Sequence, residues 1–235
     1  MPDFPDSPLP GSPLSKWPLS KWIDAVLFDM DGVLVSSDEV WYRLIVDATR
    51  AYGHPEPTRD RFLEGFGQGI DADVKWYVQS ATPQALLAFY DRHYEEHLGL
   101  VTLIPGASRL LKELRRRRVK TAVVTNTPVR LARLTLDATR LAPLLDVVAA
   151  SGEAAEKPAP DLIDLAIDRL AVKKERAIYV GDSATDVAAA AAAGVRSITF
   201  CPGGDIVVET LEEVSRRLLD APAGSLKTIA DRAVN

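Results

Sequence analysis

The apolar positions of the chain fall into two alternating patterns. Continuous runs at Ala25–Phe28, Thr121–Val124, Ala177–Val180 and Val195–Phe200 are short and rich in branched residues, as strands buried on both faces are. Between them, apolar residues recur at helical spacing over about 128–140, 160–170 and 188–193, and a short strand is expected near Asp146–Ala149. A helix through Leu110, Leu111 and Leu114 precedes the second run and ends in Arg115–Arg118, whose charge complements a helix C-terminus. The six alanines of 188–193 imply a helix packed close on its neighbours and stopped by Gly194, and a last amphipathic helix is expected over 206–219. Alternation of this kind predicts an α/β fold, a doubly wound parallel sheet with helices on both faces.

The pattern breaks between residues 38 and 103. Asp38 is placed to cap a helix with apolar positions Trp41, Leu44, Ile45 and Ala48, which ends near Gly53 before His54-Pro55-Glu56-Pro57. Helical stretches follow at about 58–64, 71–80 and 83–98, and no strand is expected between Asp38 and Leu100. The block therefore reads as a helical cap subdomain, 38–103, inserted into a core made of 23–37 and 104–235. Its loop Gly65-Phe66-Gly67-Gln68-Gly69 bends easily and is a candidate to reach a site on the core, with Gln68, Lys75 or Trp76 meeting a ligand. His93 and His97 have the i, i+4 spacing of a metal pair, but without a third ligand they read as a solvated helix face.

Composition narrows the function classes. The formal net charge is −5, without the basic surplus of a nucleic-acid binder, and 47% apolar content supports a sizeable core. One cysteine, Cys201, forms no internal disulfide and no zinc site by itself. No run reaches the roughly 18–20 apolar residues of a membrane span, and a cytoplasmic location is expected. Residues 1–22 hold six of the 16 prolines and a tandem PLSKW repeat containing Trp17 and Trp22, which predicts an extended tail without a catalytic role.

Chemistry gathers at the ends of the strands. The first run stops in Asp29-Met30-Asp31-Gly32, the second in Thr125-Asn126, and the one at 177–180 in Gly181-Asp182-Ser183-Ala184-Thr185-Asp186. Lys157 enters a helix in EKPAPD. In a parallel sheet these ends share one edge, where ligands bind. Clustered carboxylates without His or Cys suit a hard cation such as Mg²⁺, and an ammonium, a hydroxyl and an amide suit phosphate oxygens. Together they describe a phosphoryl-transfer site using a carboxylate nucleophile and a second carboxylate as acid and then base.

With DMDGV, VVTNT, KPAPD and GDSATD in this order, the sequence over about 23–219 resembles the haloacid dehalogenase superfamily, in its phosphatase branch with a helical cap after the first strand. The resemblance implies Asp29 as nucleophile and metal ligand, and Asp31 as general acid/base with its carbonyl on the metal. It implies Thr125, Asn126 and Lys157 on phosphate, Asp182 on Mg²⁺ and Asp186 on metal-bound water. The expected substrate is a small phosphorylated metabolite such as a sugar phosphate or phosphoglycolate, with no nucleic acid or membrane as partner. Asp31 argues against dehalogenases and phosphonate hydrolases. The rival readings are a sugar phosphomutase, whose members tend to have Glu-Asp where this chain has Gly181-Asp182, and a protein that binds without turnover. Two positions depart from the family pattern. Ser36-Ser37 stand where many relatives have Asp-Ser, which brings Asp38 into the expected hinge, and Arg118 lies near a position often held by glycine.

Overall fold

The computed structural model describes residues 23–219; the proline-rich segment 1–22 and the residues from Asp220 onward lie outside them. Within that span the expected alternation is realised as a six-stranded parallel sheet. Its strands are β1 (Ala25–Phe28), β4 (Lys120–Pro128), β5 (Val147–Ser151), β6 (Ala177–Gly181), β7 (Arg196–Thr199) and β8 (Ile206–Val207), in the spatial order β5-β4-β1-β6-β7-β8. The chain builds outward from β1 through β4 to β5, then crosses back to lay β6 on the other side of β1. The switch point between β1 and β6 is where an open α/β sheet leaves a crevice beyond its strand ends.

Successive residues of β1 enter different cores, which explains why the whole run is apolar. Val26 and Phe28 face Leu110, Leu111 and Leu114 of α5 (Ala107–Arg116) and Leu218 of α9 (Leu211–Leu219). Ala25 and Leu27 face the other side, where α7 (Asp161–Leu170) and α8 (Ala184–Ala193) pack. Ala189, Ala190 and Ala193 lie in that second core, so the alanine run lets α8 sit close to the sheet. Gly194 ends α8 in the left-handed conformation with φ 70°.

Between β1 and β4 the chain leaves through β2 (Val35–Ser36) and returns through β3 (Thr102–Leu103), a two-stranded antiparallel ribbon. The four helices between them are α1 (Asp38–Tyr52), α2 (Arg59–Gly65), α3 (Ile70–Trp76) and α4 (Pro83–His97). They have an aromatic core of their own, in which Trp41 meets the Tyr90 ring edge-on at 5.6 Å. This core rests on α6 (Val129–Ala138): Leu131 belongs to it, and the Tyr94 and Thr135 hydroxyls are hydrogen-bonded at 2.7 Å. His93 pairs with Glu96 and His97 with Asp47, so the two histidines share no ligand position.

Four local expectations are corrected. Asp38 is the first residue of α1 and not its cap; its carboxylate takes the Ser36 hydroxyl at 2.8 Å and the Arg59 guanidinium. The second core strand runs on to Pro128, since Thr125, Asn126 and Thr127 stay buried and β4 follows β5 with a register shift after Thr125. Residues 206–207 form the edge strand β8, and α9 begins only at Leu211. The alanine helix starts earlier than its apolar run, at Ala184, because Ser183 and Asp186 form a capping box. Arg118 has φ 61°, so the chain holds a non-glycine residue in the left-handed turn that leads into β4.

Candidate active site

Asp29 follows β1 and Asp182 follows β6, which puts both at the switch point. Oxygens of Asp29, Asp182 and Asp186 all lie within 4.8 Å of one another. Lys157 comes in from the segment before α7 and is almost wholly buried. Its ammonium donates to Asp29 Oδ1 at 2.8 Å, to Asp186 Oδ1 at 2.7 Å and to the Tyr179 hydroxyl at 3.1 Å, which uses all three protons. The Tyr179 hydroxyl donates in turn to Asp186 Oδ1 at 2.7 Å. Asp186 Oδ2 accepts the Asp182 and Ser183 amides at 3.1 Å each and the Ser183 hydroxyl at 2.6 Å, so Asp186 is bonded on both oxygens.

Asp31 is fixed differently. Its Oδ2 accepts the Thr127 hydroxyl at 2.8 Å and its Oδ1 accepts the Ser37 hydroxyl. Gly32, with φ 81°, makes the turn and leaves room for Asp182: a Cβ there would stand 1.9 Å from Asp182 Oδ2. Asn126 forms a reciprocal pair with the Lys157 backbone, donating from Nδ2 to its carbonyl at 2.9 Å and accepting its amide on Oδ1 at 2.8 Å. Thr125 Oγ1 accepts the Thr127 amide at 3.0 Å and keeps its own proton to donate. All seven residues expected from the sequence thus come together at one sheet edge.

Electrostatics separate the carboxylates. Burial pushes Asp29 well above the usual carboxylate range; Lys157 offsets part of this, while Asp186, Asp182 and Asp31 add to it. Burial also raises Asp31 against its two hydroxyl donors. Burial and the Asp186 charge push Asp182 up to about 7. Burial works against the charged form of Asp186 too, yet Lys157 and its hydrogen bonds outweigh it and hold Asp186 low. Burial alone would discharge Lys157, but Asp29 and Asp186 keep its ammonium raised above the ordinary lysine range. One ammonium for this many acids leaves a deficit of positive charge. The all-oxygen donor set and its spacing fit a small, hard divalent cation.

Above these residues lies a cavity of about 970 Å³, its open mouth included. Asp29, Asp31, Thr125, Asn126, Lys157 and Asp182 form its floor; Trp41, Ile45, Phe62, Phe66, Ile70 and Leu87 form much of its roof. The glycine loop does reach the site: Gly65, Phe66, Gly67 and Gly69 line the cavity, and the Gly67 carbonyl lies 3.5 Å from Asn126 Nδ2. Its expected ligand contacts do not. Gln68 bonds back to the Glu64 carbonyl, Lys75 is exposed, and Trp76 stacks under Arg61 away from the cavity.

Sequence reasoning missed Ser37, Thr127, Tyr179 and Asp73. Tyr179 carried a signal, a phenol inside a buried strand that needs a partner for its hydroxyl. Thr127 and Ser37 lay in or beside stretches already singled out, but only the fold turns them toward Asp31. Asp73 interrupts the apolar face formed by Ile70 and Val74.

A switch-point crevice with an acid cluster and one buried lysine defines an α/β enzyme site for an anionic ligand and a divalent cation, and comparison with known proteins supplies the family. The model of the haloacid dehalogenase-like hydrolases matches residues 26–200. A phosphoglycolate phosphatase of Rhodospirillum rubrum is 34% identical over 76% of this chain and 80% of its own length. A plasmid-encoded phosphoglycolate phosphatase of Cupriavidus necator is 34% identical over 84% of this chain and 94% of its own. The crystal structure of CbbY from Rhodobacter sphaeroides in complex with phosphate superposes with a TM-score of 0.70 at 26% identity, covering 82% of this chain and 96% of that one. The chain belongs to the haloacid dehalogenase-like hydrolases. Within them it is a phosphoric monoester hydrolase. Among the described residues no helix is long and apolar enough to cross a membrane.

Proposed function

We propose that this enzyme is a cytoplasmic, Mg²⁺-dependent phosphatase that hydrolyses a small phosphomonoester through an aspartyl phosphate on Asp29, under a cap formed by α1–α4. The reading rests above all on the contrast between Asp29, held open to the cavity by Lys157, and Asp31, held by two hydroxyls close by. The relatives named phosphoglycolate phosphatases support it, as does a complex of CbbY with xylulose-1,5-bisphosphate.

In the first step an Asp29 oxygen attacks phosphorus, the bond to the ester oxygen breaks, and Asp31 gives its proton to the departing alcohol. Burial, which raises Asp31, keeps that proton available. In the second step Asp31, now a carboxylate, takes a proton from water as the water attacks phosphorus, and the Asp29–phosphorus bond breaks. The Thr125 hydroxyl and Asn126 receive phosphate oxygens, and Lys157 takes another by exchanging its bond to the Tyr179 hydroxyl, while it still fixes the attacking carboxylate. Asp29, Asp182 and the Asp31 carbonyl would hold Mg²⁺, which neutralises charge on those oxygens when bound. Asp186, already bonded on both sides, acts through water and through Lys157.

The mutase reading is disfavoured at Gly181. A Cβ there would stand 2.4 Å from Asp186 Cβ, so the glutamate of the mutase pattern does not fit without moving Asp186. Inorganic phosphate release from a panel of phosphomonoesters, with and without Mg²⁺, tests the proposal. Mg²⁺-dependent release is expected; isomerisation of a sugar phosphate without release would establish the mutase instead.

A further inference from the structure

The roof of the cavity has the opposite chemistry to its floor. We infer from it that the substrate's alcohol part is apolar, most simply aromatic, bears no second anionic group, and presents an ammonium or hydroxyl donor to Asp73. This rests on the phosphatase reading, which places the phosphate on the floor.

The roof offers six large apolar side chains and two tyrosines to the cavity. Its polar group is Asp73, whose Oδ2 accepts the Tyr90 hydroxyl at 3.0 Å; Asp73 Oδ1 has no partner among the described residues and is open to a ligand donor. Glu156 is a second acid on the cavity wall, with Oε1 taken by the Ser151 hydroxyl. Among the described residues the cavity's one cation is Lys157, whose protons are committed below. The nearby guanidinium groups are drawn off elsewhere: Arg59 to Asp38 and Glu39, Arg61 to Glu64, and Arg130 to Glu95.

A second carboxylate or phosphate on the substrate would therefore be desolvated against two acids with no countercharge, which is costly. An aromatic group replaces water on the roof favourably, and an ammonium beside Asp73 gains a charge-assisted hydrogen bond. Burial, against the Tyr90 hydrogen bond and with the Glu156 charge adding to it, raises Asp73 to about 7, and an ammonium beside Asp73 Oδ1 would favour its charged form. The names of the phosphoglycolate phosphatase relatives would suggest the reverse, a small substrate carrying an extra acid.

Three aryl phosphates with nearly the same leaving group and reactivity test this: the phosphate esters of tyramine, 4-ethylphenol and 3-(4-hydroxyphenyl)propanoic acid. Expected is a kcat/KM at least roughly tenfold higher for the ammonium ester than for the carboxylate ester, with the neutral ester between. In Asp73→Asn the ammonium-to-neutral ratio should fall toward one; asparagine still accepts the Tyr90 hydroxyl, so the fold is kept. Binding of the same esters to the Asp29→Asn protein, by calorimetry, separates the two readings. The same affinity order without phosphate release by wild type would sink the phosphatase reading while upholding the preference of the roof for an apolar ligand with an ammonium. Preference for the carboxylate ester or for phosphoglycolate, a ratio unchanged in Asp73→Asn, or binding of none of the esters would overturn it.

Discussion

The floor and the roof of one cavity are built on different physical terms. The floor is a set of charges taken out of water and made tolerable by one another: Lys157 between Asp29 and Asp186, Asp186 between Lys157 and the Ser183 turn, Asp31 between two hydroxyls. Each group there has few alternatives, because unpairing it leaves a buried charge. The roof is an apolar surface with one acid, and its packing depends on shape more than on pairing. The reacting groups stand on the floor, while the roof, on helices joined to the core by a two-stranded ribbon, faces them across the cavity.

That contrast can be broken most sharply at Asp29. Asp29→Asn should lower phosphate release by roughly a thousandfold or more while the fold persists, because Lys157 keeps Asp186 as partner; near-normal turnover would remove the nucleophile from the account. Lys157→Ala leaves Asp29 and Asp186 buried without a countercharge, so urea unfolding should show a loss of about 3–5 kcal/mol together with activity. Gly32→Ala drives a Cβ into Asp182 at a left-handed φ, and should cost about 1–3 kcal/mol and weaken Mg²⁺ binding measured by calorimetry.

The smallest effect sharpens the roof. Asp73 has its pKa raised from 3.8 to about 7 by burial, against the Tyr90 hydrogen bond, with the Glu156 charge adding to it. A raised carboxyl binds its proton more tightly when folded, so its contribution to stability is complete below about pH 4 and is lost as pH rises through 7. Asp73→Asn should therefore gain on wild type as pH rises from 5 to 8, by about a few degrees in Tm. A constant difference across that range would mean that Asp73 does not titrate there.

Much of the floor was legible in the sequence for a physical reason. A buried parallel strand needs an unbroken apolar run, so its end is sharply marked: Asp29 and Asp182 stand just past β1 and β6, and Thr125 just past the apolar run of β4. Parallel topology then puts those ends on one edge without further information. The limits were of two kinds. Elements of two residues, β2, β3 and β8, carry no periodicity to detect. The roof residues are set by how helices pack: Ile45 and Leu87 face the cavity while Gln68 and Lys75 turn away, and the glycine loop gave the right segment but the wrong side chains. Asp38 resembled a cap by type, but the arginine opposite it lies 21 residues on, where local reasoning does not reach.

The most direct test of the central claim is an acid quench of the Asp31→Asn protein mixed with Mg²⁺ and a radiolabelled aryl phosphate. A phenol departs with little need of a proton donor, so the first step should proceed while the second, lacking its base, stalls. Near-stoichiometric, hydroxylamine-labile phosphate is expected on the peptide carrying Asp29. Rapid steady release of phosphate with no label on the protein, or label on a different residue, would contradict it.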